Sequence, residues 1–124
     1  MTEHLPADMA VISINHPGGP EVLVPSTKPV PRPNDDEILI KVHSAGVNRP
    51  DMLQRQGLYP APKGASEILG LEVAGVVVLI GKNVTRYKIG DKVCALVSGG
   101  GYAQYCCVDA TNALPVPHTP CPTL

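Results

Sequence analysis

The chain has 124 residues, of which 44% are hydrophobic, and its formal net charge of -1 comes from interspersed acidic and basic residues. A chain of this length is typical of a single domain. It contains no basic run of the kind that binds nucleic acid and no apolar run near the ~20 residues that a membrane span needs. Its N-terminus lacks the cationic start and apolar stretch of a signal peptide. These features argue against a nucleic-acid-binding, membrane-spanning or secreted protein.

The core has to be built from aliphatic residues, because the chain has no Phe and no Trp. Many of these residues are β-branched, which favours strands. Breaks rich in Gly and Pro divide the chain into short segments, and residues 25–33, with four prolines, are expected to be an extended edge or connector. We predict strands at residues 10–14, 22–24, 38–47, 69–80, 92–97, 102–108 and 112–116.

One segment, residues 49–56, has the features of a helix. Asn48 is suited to its N-cap, and Asp51 lies in its first turn near the positive end of the helix dipole. Gly57 follows the segment and can end the helix. The sequence therefore predicts a mainly β fold with one or two short helices, arranged as a β-barrel-like domain.

Four cysteines lie at positions 94, 106, 107 and 121, without a Cys-x-x-Cys pair or a His spacing that completes a zinc set. Cys106 and Cys107 are adjacent in a predicted strand, so their side chains point to opposite faces. Because nothing indicates secretion, we expect reduced thiols in a cytoplasmic protein.

Two sequence frames carry most of the functional information. Residues 70–81 read Gly-Leu-Glu-Val-Ala-Gly-Val-Val-Val-Leu-Ile-Gly, and residues 46–51 read Gly-Val-Asn-Arg-Pro-Asp. They resemble the Gly-His-Glu-x-x-Gly and Gly-x-Cys-x-x-Asp segments of medium-chain alcohol dehydrogenases, whose His and Cys bind the catalytic zinc. Leu71 and Asn48 occupy those two positions here. Neither offers the thiolate, imidazole or carboxylate that zinc sites use.

The substitutions point to the zinc-independent branch of that superfamily, the NADPH:quinone oxidoreductases, also called zeta-crystallin-like reductases. Residues 48–59 are similar to these reductases over their whole length, and residues 17–23, 90–93 and 99–105 match further family segments in the same order. The resemblance covers roughly residues 10–117. It implies a GroES-like catalytic domain, which is a partly open β-barrel, at 10–117, with an N-terminal extension at 1–9 and a tail at 118–124.

The resemblance also implies what this chain does not contain. Family members continue into a Rossmann domain that binds NADPH, and no Gly-x-Gly-x-x-Gly of such a domain occurs here. We therefore expect the chain to be the N-terminal fragment of a longer reductase, poorly able to bind NADPH and inactive by itself. Its implied substrate is a small-molecule quinone or enone, no metal is expected, and a homodimer remains open for the full-length protein.

Three residues are candidates for the site. Tyr59 can donate a hydroxyl hydrogen bond to a carbonyl oxygen, and the resemblance makes it the substrate-site candidate. Asn48 and Asp51 are candidates for both catalysis and cofactor binding. Each also has a structural alternative: Tyr59 as a packing ring, Asn48 as a helix cap, and Asp51 as a first-turn carboxylate. Glu72, which follows the lost ligand position, is expected to be structural.

Two hypotheses of different classes remain open at this point. The first is the catalytic domain of a zinc-independent oxidoreductase that transfers hydride to a quinone or an α,β-unsaturated carbonyl. The second is a non-catalytic GroES-like module that serves binding or assembly. The grouping of Asn48, Asp51 and Tyr59 favours the first, because an assembly module has no need for polar residues gathered near one loop. A zinc dehydrogenase is a weaker third interpretation.

Overall fold

The computed structural model describes residues 5–58 and 66–116, which form seven strands, one α-helix and two short 3-10 turns. The fold is mainly β with one helix, as predicted. None of the helices in these two ranges is long and apolar enough to cross a membrane. The elements are β1 Asp8–Ile14, β2 Leu23–Pro29, β3 Glu37–Ala45, α1 Arg49–Arg55, β4 Glu72–Ile80, β5 Lys92–Leu96, β6 Tyr105–Asp109 and β7 Ala113–Pro115, with the 3-10 turns at Pro20–Val22 and Ala110–Asn112.

The strands form two antiparallel sheets that do not close on each other. The larger sheet has the order β6-β3-β4-β5-β7, and the smaller one is the ribbon β1-β2. The ribbon is joined to the larger sheet just before β6, through a bridge between Val11 and Ala103 and a hydrogen bond of 2.9 Å from Ile12 N to Tyr102 O. This arrangement confirms the prediction of a partly open barrel.

Buried side chains lie on both faces of the larger sheet, because successive residues of a strand point to opposite sides. In β3, Ile38 and Ile40 enter one cluster and Leu39 enters the other, and all three are fully buried. The first cluster is the larger, and its buried members are Ile38, Ile40, Val73, Val77, Tyr87, Val93, Ala95, Cys106, Val108 and Ala113. The second lies under the ribbon, with Met9, Val11, Leu39, Val78 and Tyr105.

Several strand bounds differ from those predicted. The first strand begins at Asp8 rather than at residue 10, since Met9 is buried in the second cluster. The strand β2 extends to Pro29 despite its prolines, which an edge strand tolerates. Two strands are shorter than expected at their start: β4 begins at Glu72 rather than 69, and β6 at Tyr105 rather than 102. The segments that were predicted to begin these two strands, residues 69–71 and 102–104, lie outside the strands because the chain crosses itself near Gly70 and Gly101, as described below.

The helix α1 begins and ends close to the predicted positions. Asn48 is its N-cap residue, with extended backbone angles, and Gly57 follows its C-terminus with φ of 83°. Only glycine adopts that angle without strain. Arg55 anchors the C-terminal end to the loop after β1, because its Nε donates to Gly18 O at 3.1 Å and its carbonyl accepts from Gly18 N at 2.9 Å. The C-terminal end of the helix is therefore attached to the loop between β1 and β2.

Candidate functional site

Three segments that are distant in sequence meet at the N-terminus of α1. They are residues 46–51, which lead into the helix, residues 69–72, which lead into β4, and residues 101–102, which precede β6. We call this meeting point the Gly70–Gly101 crossing. It contains residues 46–51, which form one of the two sequence frames, and residues 70–72, which begin the other, so positions 48 and 71, where the dehydrogenases have zinc ligands, belong to one region.

Asp51 lies at the centre of the crossing. Its side chain is 2% exposed, and its Oδ2 accepts two hydrogen bonds, from Tyr102 Oη at 2.7 Å and from Asn48 N at 3.1 Å. Its Oδ1 accepts no hydrogen bond from the residues that the structure describes. A buried carboxylate is costly unless it is well paired, so these two donors matter for the stability of the region.

Tyr102 supplies the shorter of the two hydrogen bonds to Asp51. Burial of the phenol raises the pKa of Tyr102 above its usual value, and the hydrogen bond to Asp51 and the negative charge of that carboxylate raise it further. The hydroxyl therefore remains protonated well above pH 10, since both burial and a neighbouring anion oppose ionisation. Tyr102 acts here as a stable hydrogen-bond donor.

Asn48 links the helix to the start of β4. Its Nδ2 lies 3.4 Å from Glu72 Oε1, and the backbone N of Gly46 donates to the Glu72 carbonyl at 2.9 Å. Asn48 is half-buried and Glu72 is exposed. Asn48 is thus held at two points. Its backbone N–H donates to Asp51, and its side-chain amide donates to Glu72.

Glycines allow the backbones to approach each other at the crossing. Gly70 has φ of 107°, and a Cβ on it would lie 2.7 Å from Gly101 Cα and 2.8 Å from Tyr102 N. The two segments are joined by hydrogen bonds from Tyr102 N to Leu69 O at 2.9 Å and from Gly101 N to Gly70 O at 3.1 Å. This close contact explains why neither β4 nor β6 extends into the region.

The donor set at the crossing does not fit a zinc ion. Position 48 carries a carboxamide, and position 71 carries a half-buried leucine. Within residues 5–58 and 66–116, no group of three or more His, Cys, Asp or Glu side chains is placed to hold a metal. Zinc sites in proteins use at least three such ligands.

Two grooves lie near this region. A cleft of about 270 Å³ adjoins the crossing and is lined by Ser44, Ala45, Gly46, Glu72, Val73, Ala74 and Cys94. A groove of about 600 Å³ lies between the ribbon and β6, and includes Met9, Ser66, Gly100 and Cys107 in its lining. Among the described residues, its lining does not include Asn48, Asp51 or Tyr102.

The predicted site residues are placed in two different ways. Asn48 and Asp51 are brought into direct hydrogen-bond contact. Tyr59 lies outside the described residues, so its role stays a prediction. Sequence reasoning missed Tyr102, although the segment 99–105 that contains it was one of the family matches. A tyrosine 51 residues away from its partner leaves no local pattern that identifies the contact.

Comparison with known proteins supports the resemblance. Residues 34–118 match the family model of the alcohol dehydrogenase GroES-like domain. Pig quinone oxidoreductase is 39% identical over 99 residues, which are 78% of this chain and 30% of that protein.

Solved structures give the same result. A quinone oxidoreductase from Pseudomonas syringae has a TM-score of 0.81 at 31% identity, covering 91% of this chain and 35% of that one. A mycobacterial protein solved in complex with NADPH has a TM-score of 0.77 at 33% identity, with 90% of this chain and 33% of that chain covered. The chain therefore spans about a third of the length of these relatives. It belongs to the alcohol dehydrogenase GroES-like domain family and is homologous to the N-terminal part of quinone oxidoreductases.

Proposed function

We propose that this chain is the substrate-side part of an NAD(P)H-dependent oxidoreductase that transfers hydride to a quinone or an α,β-unsaturated carbonyl without zinc. The observation that carries the proposal is the junction of the two family frames through Asn48 and Glu72, with non-ligand residues at both metal positions. The names of the homologous quinone oxidoreductases supply the reaction class.

The cofactor supplies two electrons as a hydride when it is bound, as expected from the relative that was solved with NADPH. Negative charge then develops on the carbonyl oxygen of the substrate, which takes up one proton to complete the reduction. In a zinc dehydrogenase the metal stabilises that charge. In this chain hydrogen-bond donors have to do so, and each donor must be held in place before the reaction begins.

Asn48 and Tyr59 are the proposed donors. Asn48 is half-buried, and its backbone is held in place because the backbone N–H donates to Asp51 Oδ2. Its side-chain amide is the proposed donor. Tyr59 is proposed from the resemblance alone, as the hydroxyl that donates to the substrate oxygen. Asp51 is 2% exposed, and both of its hydrogen bonds go to groups of the chain itself. This burial favours a role for Asp51 in holding Asn48 over direct contact with the cofactor.

The proposal is tested by a chimera in which this chain replaces the matched N-terminal segment of pig quinone oxidoreductase. We expect NADPH-dependent quinone reduction by the chimera and none by the isolated 124-residue chain, because that chain spans only about a third of its relatives. Reduction by the isolated chain at the rate of the chimera, or activity that zinc chelation abolishes, would contradict the proposal.

The role of Asn48 is tested in the same chimera. Asn48→Ser retains a good N-cap residue and removes the amide, so we expect kcat to fall by about a hundredfold, as for the loss of one transition-state donor. The matched control is Asn83→Ser, since the exposed Asn83 also donates its amide to a carboxylate, Asp36 Oδ1, at 3.0 Å. Equal kcat values for Asn48→Ser and Asn83→Ser would show that the amide of Asn48 takes no part in the reaction.

A non-catalytic binding or assembly module is the other outcome that this experiment can give. A chimera that folds and binds NADPH but does not reduce quinones would favour that function. Tyr59→Phe separates the two roles of the tyrosine, because phenylalanine retains the ring and lacks the hydroxyl. Unchanged turnover would show that Tyr59 packs rather than donates.

A further inference from the structure

Tyr102 joins the three segments of the Gly70–Gly101 crossing to the N-terminal ribbon. Its backbone N donates to Leu69 O, its carbonyl accepts from Ile12 N, and its hydroxyl donates to Asp51 Oδ2. The next residues extend the connection to the ribbon, since Ala10 N donates to Gln104 Oε1 at 2.8 Å and Gln104 N donates to Ala10 O at 3.1 Å. The backbone of Tyr102 is therefore held on two sides.

The hydroxyl of Tyr102 and the backbone N–H of Asn48 donate to the same oxygen atom of Asp51. Asp51 Oδ2 accepts from both Tyr102 Oη and Asn48 N, and no donor within the described ranges reaches the other oxygen, Oδ1. When one of the two donors on the same oxygen of a buried carboxylate is removed, a single side-chain hydrogen bond remains and the orientation of the carboxylate is less restrained. The phenol therefore helps to fix the acceptor of Asn48 N, while the hydrogen bond of 3.0 Å from Asp51 N to Asn48 O also holds the Asn48 backbone.

We infer that Tyr102 is a positioning residue for the candidate site, acting through Asp51 to hold Asn48 in the geometry that the reaction requires. The inference rests on the proposed function, since it assumes that Asn48 contacts the substrate or the cofactor. It adds a residue that is distant in sequence from the two metal-site frames but contacts both of them, and it makes the ribbon β1-β2 part of the support of the site. Tyr102 itself touches no substrate in this assignment.

The first test uses the 124-residue chain and does not depend on enzyme activity. Tyr102→Phe removes the hydroxyl and keeps the ring, and amide hydrogen exchange at Asn48 N is followed by NMR. We expect exchange at this amide to become about tenfold faster, because its acceptor is no longer held in place. The amides of β3 and β4 report whether the sheet remains folded and should exchange at unchanged rates.

Tyr87→Phe is the matched control. Tyr87 is 5% exposed, and its hydroxyl donates to Ala113 O at 2.7 Å, the same length as the Tyr102 hydrogen bond. It lies in the core cluster of the larger sheet, away from Asp51. Removing its hydroxyl should leave exchange at Asn48 unchanged. Equal exchange at Asn48 in Tyr102→Phe and in the wild type would overturn the inference.

The second test is a double-mutant cycle in the chimera. Tyr102→Phe should lower kcat by about tenfold with little change in KM, and Tyr102→Phe combined with Asn48→Ser should be no slower than Asn48→Ser alone. Additive effects would mean that Tyr102 does not act through Asn48, which overturns the inference. If the exchange result holds and the chimera is inactive, the proposed function fails while the physical link between Tyr102 and Asn48 stands.

Discussion

The centre of the larger sheet and the Gly70–Gly101 crossing are stabilised in different ways. In the sheet, Ile38, Leu39 and Ile40 are fully buried, and the stabilisation comes from apolar surface removed from water. At the crossing the buried group is a carboxylate, and the contact between segments is made by glycine backbones. The sheet needs aliphatic residues of about the right size, whereas the crossing needs particular residues at particular positions.

This difference bears on function. A region held by apolar packing tolerates exchange of one aliphatic residue for another at modest cost. A region held by a buried carboxylate and close backbone contacts does not, but it holds polar groups in fixed positions, which catalysis requires. In this chain β4 and β6 of the sheet follow the segments of the crossing, and the crossing contains Asn48.

The largest effect is expected for Gly70→Ala. The new methyl group would lie 2.7 Å from Gly101 Cα and 2.8 Å from Tyr102 N, and Gly70 has a positive φ as well. The left-handed backbone and the overpacking together cost about 5 kcal/mol of unfolding free energy. Urea denaturation measures the loss.

Gly90→Ala is the control for Gly70→Ala. Gly90 has a φ of 98°, and a Cβ on it has nothing within 4 Å. It should lose only the cost of the backbone conformation, about 1–2 kcal/mol. Equal losses for the two variants would show that the backbones at the crossing are not in close contact.

The next effect is expected in the sheet, from Ile40→Ala. Ile40 is fully buried in the larger core cluster, so its truncation leaves a cavity and should cost about 3 kcal/mol in urea denaturation. Leu96→Ala is the control on β5, because Leu96 is 65% exposed, and it should change stability by less than about 0.5 kcal/mol. A small loss for Ile40→Ala would contradict the assignment of the core.

The sheet could be predicted from the sequence and the crossing only in part. The alternation of Ile38 and Ile40 with Leu39 indicated β3, and a cap residue with a following glycine indicated the helix. The apolar run 69–80 was predicted as one strand, but its first residues are not in β4. Apolarity does not reveal a backbone crossing, which requires Gly70 to meet a segment some thirty residues later.

The candidate site likewise has one part that could be predicted from the sequence and one part that could not. Asn48 and Asp51 were predicted from their family frame and are in contact, because they are three positions apart and a helix N-terminus brings such residues together. The hydrogen bond between Asp51 and Tyr102 was not predicted. It depends on how the ribbon and the larger sheet place the segment before β6, which is a tertiary property.

Asp51→Ala tests the polar part of the crossing and should have a smaller effect than either the glycine or the core substitution. It removes the acceptor of Tyr102 Oη and of Asn48 N, which should cost about 2 kcal/mol of unfolding free energy. Chemical denaturation and the NMR shift of Asn48 N measure the change.

Asp109→Ala is the matched control for Asp51→Ala. Asp109 also accepts two hydrogen bonds, from Thr111 N at 2.9 Å and Thr111 Oγ1 at 2.6 Å, but it is exposed. We expect a smaller loss than for Asp51→Ala, since water replaces the partner of an exposed group. A larger loss of unfolding free energy for Asp109→Ala than for Asp51→Ala would contradict the conclusion that burial makes the hydrogen bonds of Asp51 important.

Stability is also expected to decline in alkaline solution, mainly because of two thiols in the sheet. Burial and the negative charge of Glu37 raise the pKa of Cys106 to about 11 and that of Cys107 to about 12. The unfolded chain releases these protons near pH 9, before the folded chain does. The stabilisation is therefore complete below pH 9 and is lost as the pH rises through the folded pKa values. Urea denaturation at pH 8, 9.5 and 10.5 should give a falling free energy of unfolding.

The double variant Cys106→Ala and Cys107→Ala should reduce that slope. A remaining slope above pH 10 is expected from Tyr102 at the crossing, whose pKa is also raised, and Tyr102→Phe should remove it. Cys94→Ala leaves all three groups in place and should retain the full slope. The triple variant combines Cys106→Ala, Cys107→Ala and Tyr102→Phe. If its free energy of unfolding falls as steeply as that of the wild type between pH 9 and 11, neither the two thiols nor the phenol of Tyr102 is in the environment that the fold assigns to it.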